Sequence, residues 1–336
     1  MKKIYVAIVV MVMTLGQLAQ AQDDVAYTQY WTVPNYYNAA AIGSTDFIRL
    51  RGGMRMQWVG IDNAPKSFLI TADSPFKLLG KRLGAGLVMQ QESIGLYKNM
   101  NLTAQVAYGF KFLKGRLTIG LQAGLADQTF KGSEVVLPDD VGGDGGTTSR
   151  DGEGGSGSSS TDEAIPTTDV HGTSLDASVG VFYTHKWFWA GISATHINQP
   201  TISLGTDQAS EQSYEAKVKR AFYFMAGSNI PLKNTLFELQ PSVLVRNSNG
   251  FTQADITMRV MYNKFLSGGI AYRTSDAISL MLGAEIKNFF VGYAYDYALS
   301  AINKASSGSH EFFVGYNLKL NLGDKNKNKH KSIRIM

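Results

Sequence analysis

Apolar positions alternate with small or polar positions along most of this chain, and the pattern is clearest from Arg116 to Gln128. One face carries Leu117, Ile119, Leu121, Ala123 and Leu125, and the other carries Thr118, Gly120, Gln122, Gly124, Ala126 and Gln128. A period of two predicts a β-strand. Soluble strands usually run for about 5–6 residues, whereas a tilted strand needs ~9–11 to cross a bilayer. The length therefore favours a membrane-spanning strand.

The same alternation, bounded by turn residues, recurs along the chain and predicts about fourteen strands. They are Asp46–Gln57, Pro65–Ser74, Arg82–Glu92, Lys98–Phe112, Arg116–Phe130, His171–His185, Trp187–Ile197, Val218–Asn229, Leu236–Arg246, Thr252–Tyr262, Phe265–Arg273, Ala277–Ile286, Phe289–Leu299 and His310–Leu320. Short connections such as Lys114-Gly115 alternate with longer ones such as Asn198–Lys217. Short periplasmic turns and longer outer loops are typical of outer-membrane barrels. We predict an all-β fold, a transmembrane antiparallel β-barrel.

The first residues have the features of a secretory signal peptide. Two lysines precede an apolar run from Ile4 to Leu15, and Ala19-Gln20-Ala21 forms a small-residue cleavage site. We predict a cleaved signal peptide and therefore an exported protein, and the barrel pattern predicts that its destination is the Gram-negative outer membrane. The rest of the sequence contains no run of ~18 apolar residues, so no helical membrane span is predicted.

The remaining chain divides into three predicted regions. Residues 22–45 are aromatic and rich in asparagine, and we expect them to form a periplasmic or plug segment before a barrel over 46–320. Within the barrel, 131–170 is acidic and rich in Gly and Ser, as expected of a long extracellular loop, and 321–336 is a basic periplasmic tail. Together with the signal peptide, 1–21, these regions account for the whole sequence.

The composition limits the classes of partner. Only 18% of the residues are charged, against ~25% in ordinary globular domains, which agrees with a wall surrounded by outer-membrane lipid. The net charge of +5 is not gathered into a stripe, so a nucleic-acid partner is not expected. The chain has no cysteine, which excludes a lipoprotein anchor and disulfides.

Several strands carry charges on the face opposite the apolar one, namely Arg49, Arg51, Arg55, Glu238, Arg246, Asp255, Arg259 and Glu285. An arginine facing lipid costs ~2–4 kcal/mol near the midplane, so these side chains are predicted to face the lumen. There they either neutralise one another and fill a narrow lumen, or line the path of a solute.

No motif predicts catalysis. The five histidines are scattered without metal-ligand spacing, and neither a nucleophile elbow nor a phosphate-binding loop is present. The acidic loop does not have the spacing of a calcium-binding loop. We therefore predict no enzyme, no cofactor and no metal site.

The stretch from Tyr27 to Phe76 resembles the PorP/SprF family of type IX secretion system membrane proteins. The resemblance rests on Tyr27, Gln29, Tyr30, Asn38, Ala40, Gly43, Arg55, Gln57, Trp58, Gly60, Pro65, Asp73 and Pro75. Family members usually have Asn-Pro-Ala where this chain has Asn38-Ala39-Ala40.

This resemblance implies an outer-membrane component of the type IX secretion system of Bacteroidetes-type bacteria, used in some species for gliding motility. The implied partners are the secretion machinery and the C-terminal domains of secreted cargo, which the barrel would dock or link to the machinery. Two other functions stay open at the level of sequence. The first is an outer-membrane channel or hydrophobic-solute transporter, and the second is a hydrolase assembled from outer-loop residues.

Overall fold

The computed structural model of this protein describes residues 24–135, 166, 168–205, 214–233 and 235–320. The predicted signal peptide, the basic tail and most of the acidic loop lie outside the described residues.

Seventeen strands follow one another along the described chain. They are β1 (Phe47–Met56), β2 (Lys66–Leu78), β3 (Lys81–Ile94), β4 (Tyr97–Phe112), β5 (Gly115–Phe130), β6 (Val170–Thr184), β7 (Phe188–Thr195), β8 (Thr201–Leu204), β9 (Tyr214–Lys217), β10 (Ala221–Ser228), β11 (Ile230–Pro231), β12 (Phe237–Ser248), β13 (Phe251–Tyr262), β14 (Leu266–Arg273), β15 (Ala277–Ile286), β16 (Phe289–Ala298) and β17 (Ser309–Lys319).

Fourteen of these strands, β1 to β7, β10 and β12 to β17, form a closed antiparallel barrel. Each strand pairs with its neighbours in the chain, β10 pairs with β12, and β1 closes the barrel against β17, with Phe47 opposite Lys319. The predicted fold class and strand number are therefore confirmed.

The wall has an apolar outer face and a polar inner face. Leu121 and Val314, which point outward, are more than half exposed, whereas the inward Thr71 and Gln105 are buried. This distribution suits a barrel in lipid, because apolar groups on its outer surface meet hydrocarbon rather than water. The outer-membrane location predicted from the sequence is confirmed.

The two ends of the barrel differ in their connections. One end carries short turns such as Leu79-Gly80 and Lys287-Asn288, and the chain also enters β1 and leaves β17 there. The other end carries the long connections 131–169 and 196–220. We call these the periplasmic end and the outer end, following the usual orientation of such barrels.

Two parts of the fold differ from the prediction. β2 continues to Leu78 instead of ending at Ser74, because Pro75 and Phe76 still lie opposite Gly84 and Leu83 of β3. The connection predicted as a plain loop contains the hairpin β8–β9, which lies outside the barrel sheet. The hairpin packs on the barrel in a small apolar cluster of Ala126, Val170, Ile202, Leu204, Phe130, Tyr214, Ala216 and Val218.

The helical elements of the described residues are all short. Tyr30–Thr32, Pro34–Tyr37 and Ala39–Ala41 precede β1, and Gly132–Glu134 and Ala301–Lys304 lie in outer connections. In the described part of the chain, none is long and apolar enough to cross a membrane.

Candidate functional site: the plugged lumen and its outer cavity

The residues before β1 lie inside the barrel, and we call residues 24–45 the plug. Tyr27, Tyr30 and Val33 of the plug have no exposed surface. The backbone turns because Pro34 begins a one-turn helix and the side chain of Asn38 accepts a hydrogen bond of 2.9 Å from the N–H of Ala40. Such local side-chain caps satisfy the backbone of very short helices.

Aromatic rings fill much of the space between the plug and the wall. The ring of Tyr27 meets those of Tyr36 and Phe313 edge-on, at centroid distances of 5.3 and 5.6 Å. The guanidinium of Arg259 lies 3.9 Å from the ring centroid of Trp31, a cation–π contact. The lumen is therefore packed with side chains around the plug.

Near the outer end of the barrel, a buried network of ion pairs holds the plug against the wall. Arg55 lies 2.7 Å from Asp296 and 3.3 Å from Glu311, and Arg273 lies 2.6 Å from Asp255. The side chain of Thr28 donates to Asp296, and its N–H donates to Glu311, both at 2.8 Å. The N–H of the next residue, Gln29, also donates to Glu311, at 2.8 Å. Buried charges persist where they are paired and hydrogen-bonded, as these are.

The first described residue of the plug is held by a second ion cluster. The imidazole of His196 lies between the carboxylates of Asp24, at 3.1 Å, and Asp176, at 3.0 Å. The hydroxyl of Tyr223 donates to Asp24 at 2.6 Å, and Arg246 donates to its carbonyl oxygen at 2.9 Å.

The charges of this cluster determine its ionisation. Burial opposes the charge of each group, but the two carboxylates outweigh it at His196 and raise its pKa to about 10. Burial also opposes ionisation of Asp24, whose pKa nevertheless falls to about 2 beside His196, Tyr223 and Arg246. Both groups are therefore charged at neutral pH.

Further contacts hold the plug at mid-height. The amide of Asn38 donates to the carbonyl oxygens of Val181 and Ile192, at 3.1 and 3.0 Å. The backbone of the plug passes so close to the wall that a Cβ at Gly120 would collide with the backbone of Ala40. Glycine leaves room for the plug at this position.

At the periplasmic end, Arg49 links the plug to β2. Its guanidinium lies 2.9 Å from Asp73 and also donates to the carbonyl oxygen of Ala41 at 3.2 Å. The N–H of Gly43, which has φ +65°, donates to Asp73 at 3.3 Å. Arg82 donates to the carbonyl oxygen of Gly43 at 3.0 Å.

The structure brings many of the predicted lumen charges to the plug. Five of them, Arg49, Arg51, Arg55, Asp255 and Arg259, are buried, and the other three, Glu238, Arg246 and Glu285, are half-buried. Arg49, Arg55, Arg246 and Arg259 contact the plug itself. Arg51 instead binds Asn317 on β17 at 2.8 Å, and Glu238 accepts from Gln240 at 2.9 Å.

Several residues that hold the plug in place are not among the predicted lumen charges, namely Asp24, Asp176, His196, Arg273, Asp296 and Glu311. The alternation contains a signal for some of them. Asp296 follows Gly292 and Ala294 at period two on the face of β16 opposite Val291. For Asp24 and His196, which lie outside regular strands, the sequence offers no such signal.

Most residues that carry the family resemblance belong to the plug or touch it. Tyr27, Gln29, Tyr30, Asn38, Ala40 and Gly43 lie in the plug, and Arg55 and Asp73 are two of its anchors. Gln57, Trp58, Gly60 and Pro65 form the first outer connection, whose ends join through a bond of 2.9 Å between Gln57 N–H and the oxygen of Pro65. Pro75 lies in β2.

A cavity of about 940 Å³ lies above the plug at the outer end, and we call it the outer cavity. Asp24, Val25 and Tyr36 of the plug form its floor, and the hairpin β8–β9 forms one side. The facing side comes from β3 to β5, whose contributions include Gln90, Asn99, Asn101 and Gln128. The amide oxygen of Gln128 is buried without a hydrogen-bond partner, so the cavity wall has an unused acceptor.

A closed barrel with an apolar outer surface and a plugged lumen defines an outer-membrane β-barrel protein. Residues 19–316 match the family described as type IX secretion system membrane protein PorP/SprF. The chain therefore belongs to the PorP/SprF family.

Comparison with solved structures finds several outer-membrane barrels. The protein is similar to the outer membrane protein Omp33 of Acinetobacter baumannii, with 6% identity, a TM-score of 0.43 and coverage of 83% of this chain and 100% of that one. It is also similar to the translocator domain of the autotransporter NalP from Neisseria meningitidis, with 11% identity, a TM-score of 0.39 and coverage of 82% and 87%. It is similar as well to a FadL homologue of Pseudomonas aeruginosa, with 9% identity, a TM-score of 0.39 and coverage of 81% of this chain and 89% of that one. A search of curated proteins gave no match.

Proposed function

We propose that this protein is a closed docking barrel of the type IX secretion system. In this role it holds exported surface proteins at its outer end and links them to the machinery at its periplasmic end. The observation that carries the proposal is the plug, which is buried in the lumen and bonded to the wall near both ends. A filled lumen suits a scaffold better than the alternative, an open channel or hydrophobic-solute transporter.

The outer cavity is the docking site that we propose for the exported protein. Its volume of about 940 Å³ lies within the usual range of ligand sites, roughly 300–1,000 Å³. Amide side chains, tyrosines and charges of both signs line it, and such groups bind the backbone and polar side chains of a peptide segment. No catalysis is part of this proposal.

The test is to tag the protein in its native host, crosslink, solubilise the outer membrane gently and identify what copurifies. Recovery of type IX components together with proteins bearing type IX C-terminal domains supports the proposal. Recovery of the barrel alone, at native abundance and after crosslinking, contradicts it.

A matched pair of substitutions then tests the outer cavity. Asn101→Trp fills the cavity, whereas Leu102→Trp places the same ring on the lipid-facing side of the same strand, where Leu102 is 48% exposed. We expect Asn101→Trp to lower cargo recovery by roughly tenfold, as the loss of a central contact does. Leu102→Trp should leave cargo recovery unchanged, and equal recovery from both variants would exclude the cavity as the docking site.

A further inference from the structure

The periplasmic end carries a basic pocket that the plug contacts do not use. Its volume is about 520 Å³, and its lining is Ser44, Lys111, Phe112, Leu113, Lys114, Gly115, Arg116, Thr184 and Lys186. Four of these residues are cations and none is a carboxylate. Asp46, at the start of β1, is paired with Arg82. The pocket therefore has an excess of positive charge available to a partner.

The pocket opens at the mouth of the lumen rather than towards lipid. In β4 the outward positions are Val106 and Tyr108, so Lys111 continues the inward series. In β5, Arg116 is on the inward side with the buried Thr118. Ser44 belongs to the plug, inside the barrel. Together these positions direct the charge to the periplasm.

Two turns at the periplasmic end, one of which lines the pocket, present unusual side chains to solvent. Leu113, at the tip of the turn between β4 and β5, has φ +41° and is 75% exposed. Leu79, at the tip of the turn between β2 and β3, has φ +51° and is 92% exposed. Positive φ at such tips favours Asn, Asp or Gly and is unfavourable for a bulky residue. Leucine at these tips therefore neither suits the local backbone conformation nor packs into a core of the described residues.

We propose that the basic pocket and the leucine tips, Leu79 and Leu113, form a docking surface for an acidic, partly apolar segment of a periplasmic protein. Carboxylates of the segment would pair with Lys111, Lys114 and Lys186, and its apolar side chains would cover the leucines. Complementary charge on two surfaces speeds the encounter of the two proteins and fixes the register in which they bind. This inference rests on the proposed function, because it identifies the surface that joins the barrel to its machinery.

The first experiment uses the absence of cysteine from the chain. Leu113→Cys gives a single thiol for a photo-crosslinker, and Leu299→Cys gives a matched thiol at the outer end, where Leu299 is 47% exposed. We expect crosslinks to a periplasmic protein from position 113 and not from position 299. Equal crosslinking from both positions, or none from 113, overturns the inference.

The second experiment separates docking from folding. Leu79→Asn combined with Leu113→Asn places a residue that tolerates positive φ at both tips, so the melting temperature of the barrel should be unchanged or higher. Recovery of the periplasmic partner should fall by roughly tenfold. Unchanged recovery from this stably folded variant overturns the inference.

The charge is tested separately with Lys111→Gln, Lys114→Gln and Lys186→Gln combined. The control combines Lys66→Gln, Lys98→Gln and Lys304→Gln at the outer end. We expect the first set alone to reduce partner recovery, and to reduce the dependence of recovery on salt. Equal effects of the two sets contradict a specific basic surface.

Two further outcomes are distinguishable. If the unmodified protein recovers no machinery component, the proposed function itself fails, whatever the variants do. The second outcome is binding of lipid headgroups, tested by comparing the melting temperature of the barrel in phosphatidylglycerol and phosphatidylcholine nanodiscs. The docking inference is overturned if phosphatidylglycerol raises the melting temperature, the triple Lys→Gln variant of the pocket abolishes that rise, and that variant recovers the partner as well as the unmodified protein does.

Discussion

At the scale of single residues, buried charges of opposite sign from distant parts of the chain meet inside the lumen. Arg55 of β1 meets Asp296 of β16 and Glu311 of β17. Thr28 in the plug donates to the same two groups, through its hydroxyl to Asp296 and through its N–H to Glu311. A buried pair adds little net stability when complete, but removing one partner leaves an uncompensated charge. The network therefore makes the position of the plug specific.

Arg273 is the most informative residue of this network to replace. Its side chain lies near Asp255, Asp276 and Asp296. Asp296 keeps its contact with Arg55, but Arg273→Met leaves the buried carboxylate of Asp255 without its cation. We expect a loss of roughly 3–5 kcal/mol in the free energy of unfolding, measured by urea titration of the barrel in micelles. Lys304→Met, at an exposed site, should cost less than about 1 kcal/mol. Similar losses for the two variants would show that the buried ion network does not stabilise the folded barrel.

His196 gives the attachment of the plug a predictable pH dependence. Its pKa is raised from 6.5 to about 10 in the folded protein, so its contribution is complete below pH 6.5 and is lost as pH rises through about 10. The pKa of Asp24 is lowered from 3.8 to about 2, so its contribution is complete above pH 3.8 and is lost as pH falls through about 2.

The pH dependence can be measured by thiol labelling of Val25→Cys, a position that is 5% exposed. We expect slow labelling at pH 6–8 and faster labelling near pH 10, after division by the rate of the exposed Leu299→Cys to remove the titration of the thiol. Adding His196→Gln should give fast labelling already at pH 7. Slow labelling in that variant would show that His196 does not hold the plug.

At the scale of elements, the plug and the wall fit through glycines on the inner face. A Cβ at Gly120 would collide with Ala39 and Ala40, whereas a Cβ at Gly268, on the outer face of β14 in phase with the exposed Ile270, meets the wall only at an ordinary 3.6 Å. Gly120→Val should therefore displace the plug without unfolding the barrel, and Gly268→Ala should not. Chymotrypsin digestion of the folded barrel, followed by mass spectrometry of cleavage after Tyr37, which is buried in the plug, measures the displacement. Protection of Gly120→Val equal to that of the unmodified protein would contradict the fit.

The lengths of the elements also explain how much of the fold can be predicted from the sequence alone. Alternation predicts the barrel strands because lipid and lumen impose opposite chemistry on successive residues, as at Leu121 and Gln122. The plug has turns of three or four residues, so no period marks it, and its place depends on residues more than two hundred positions away, such as Glu311. The strands β8 and β9 have four residues each, too few for alternation to show. The outer cavity, which depends on the plug and this hairpin, was beyond prediction.

At the scale of the whole molecule, the plug occupies the space through which a channel would conduct ions. Fourteen strands enclose a lumen wide enough for residues 24–45, and the ion contacts of Arg49, Arg55 and His196 hold that segment at several heights. A docking barrel has no need of a water path, whereas a channel requires one. Conductance therefore distinguishes the proposed function from its main alternative.

We predict that the purified protein is silent in planar bilayers and that deletion of residues 24–43 produces stable open steps, because the deletion empties the lumen while leaving the wall paired from β1 to β17. Gly120→Val should give intermediate, flickering steps, and Gly268→Ala should stay silent. The deletion variant should keep its closed barrel, seen as heat-modifiable mobility on gels, so that the steps are not due to unfolding. Stable steps from the unmodified protein would instead favour a channel, with the plug as a movable gate.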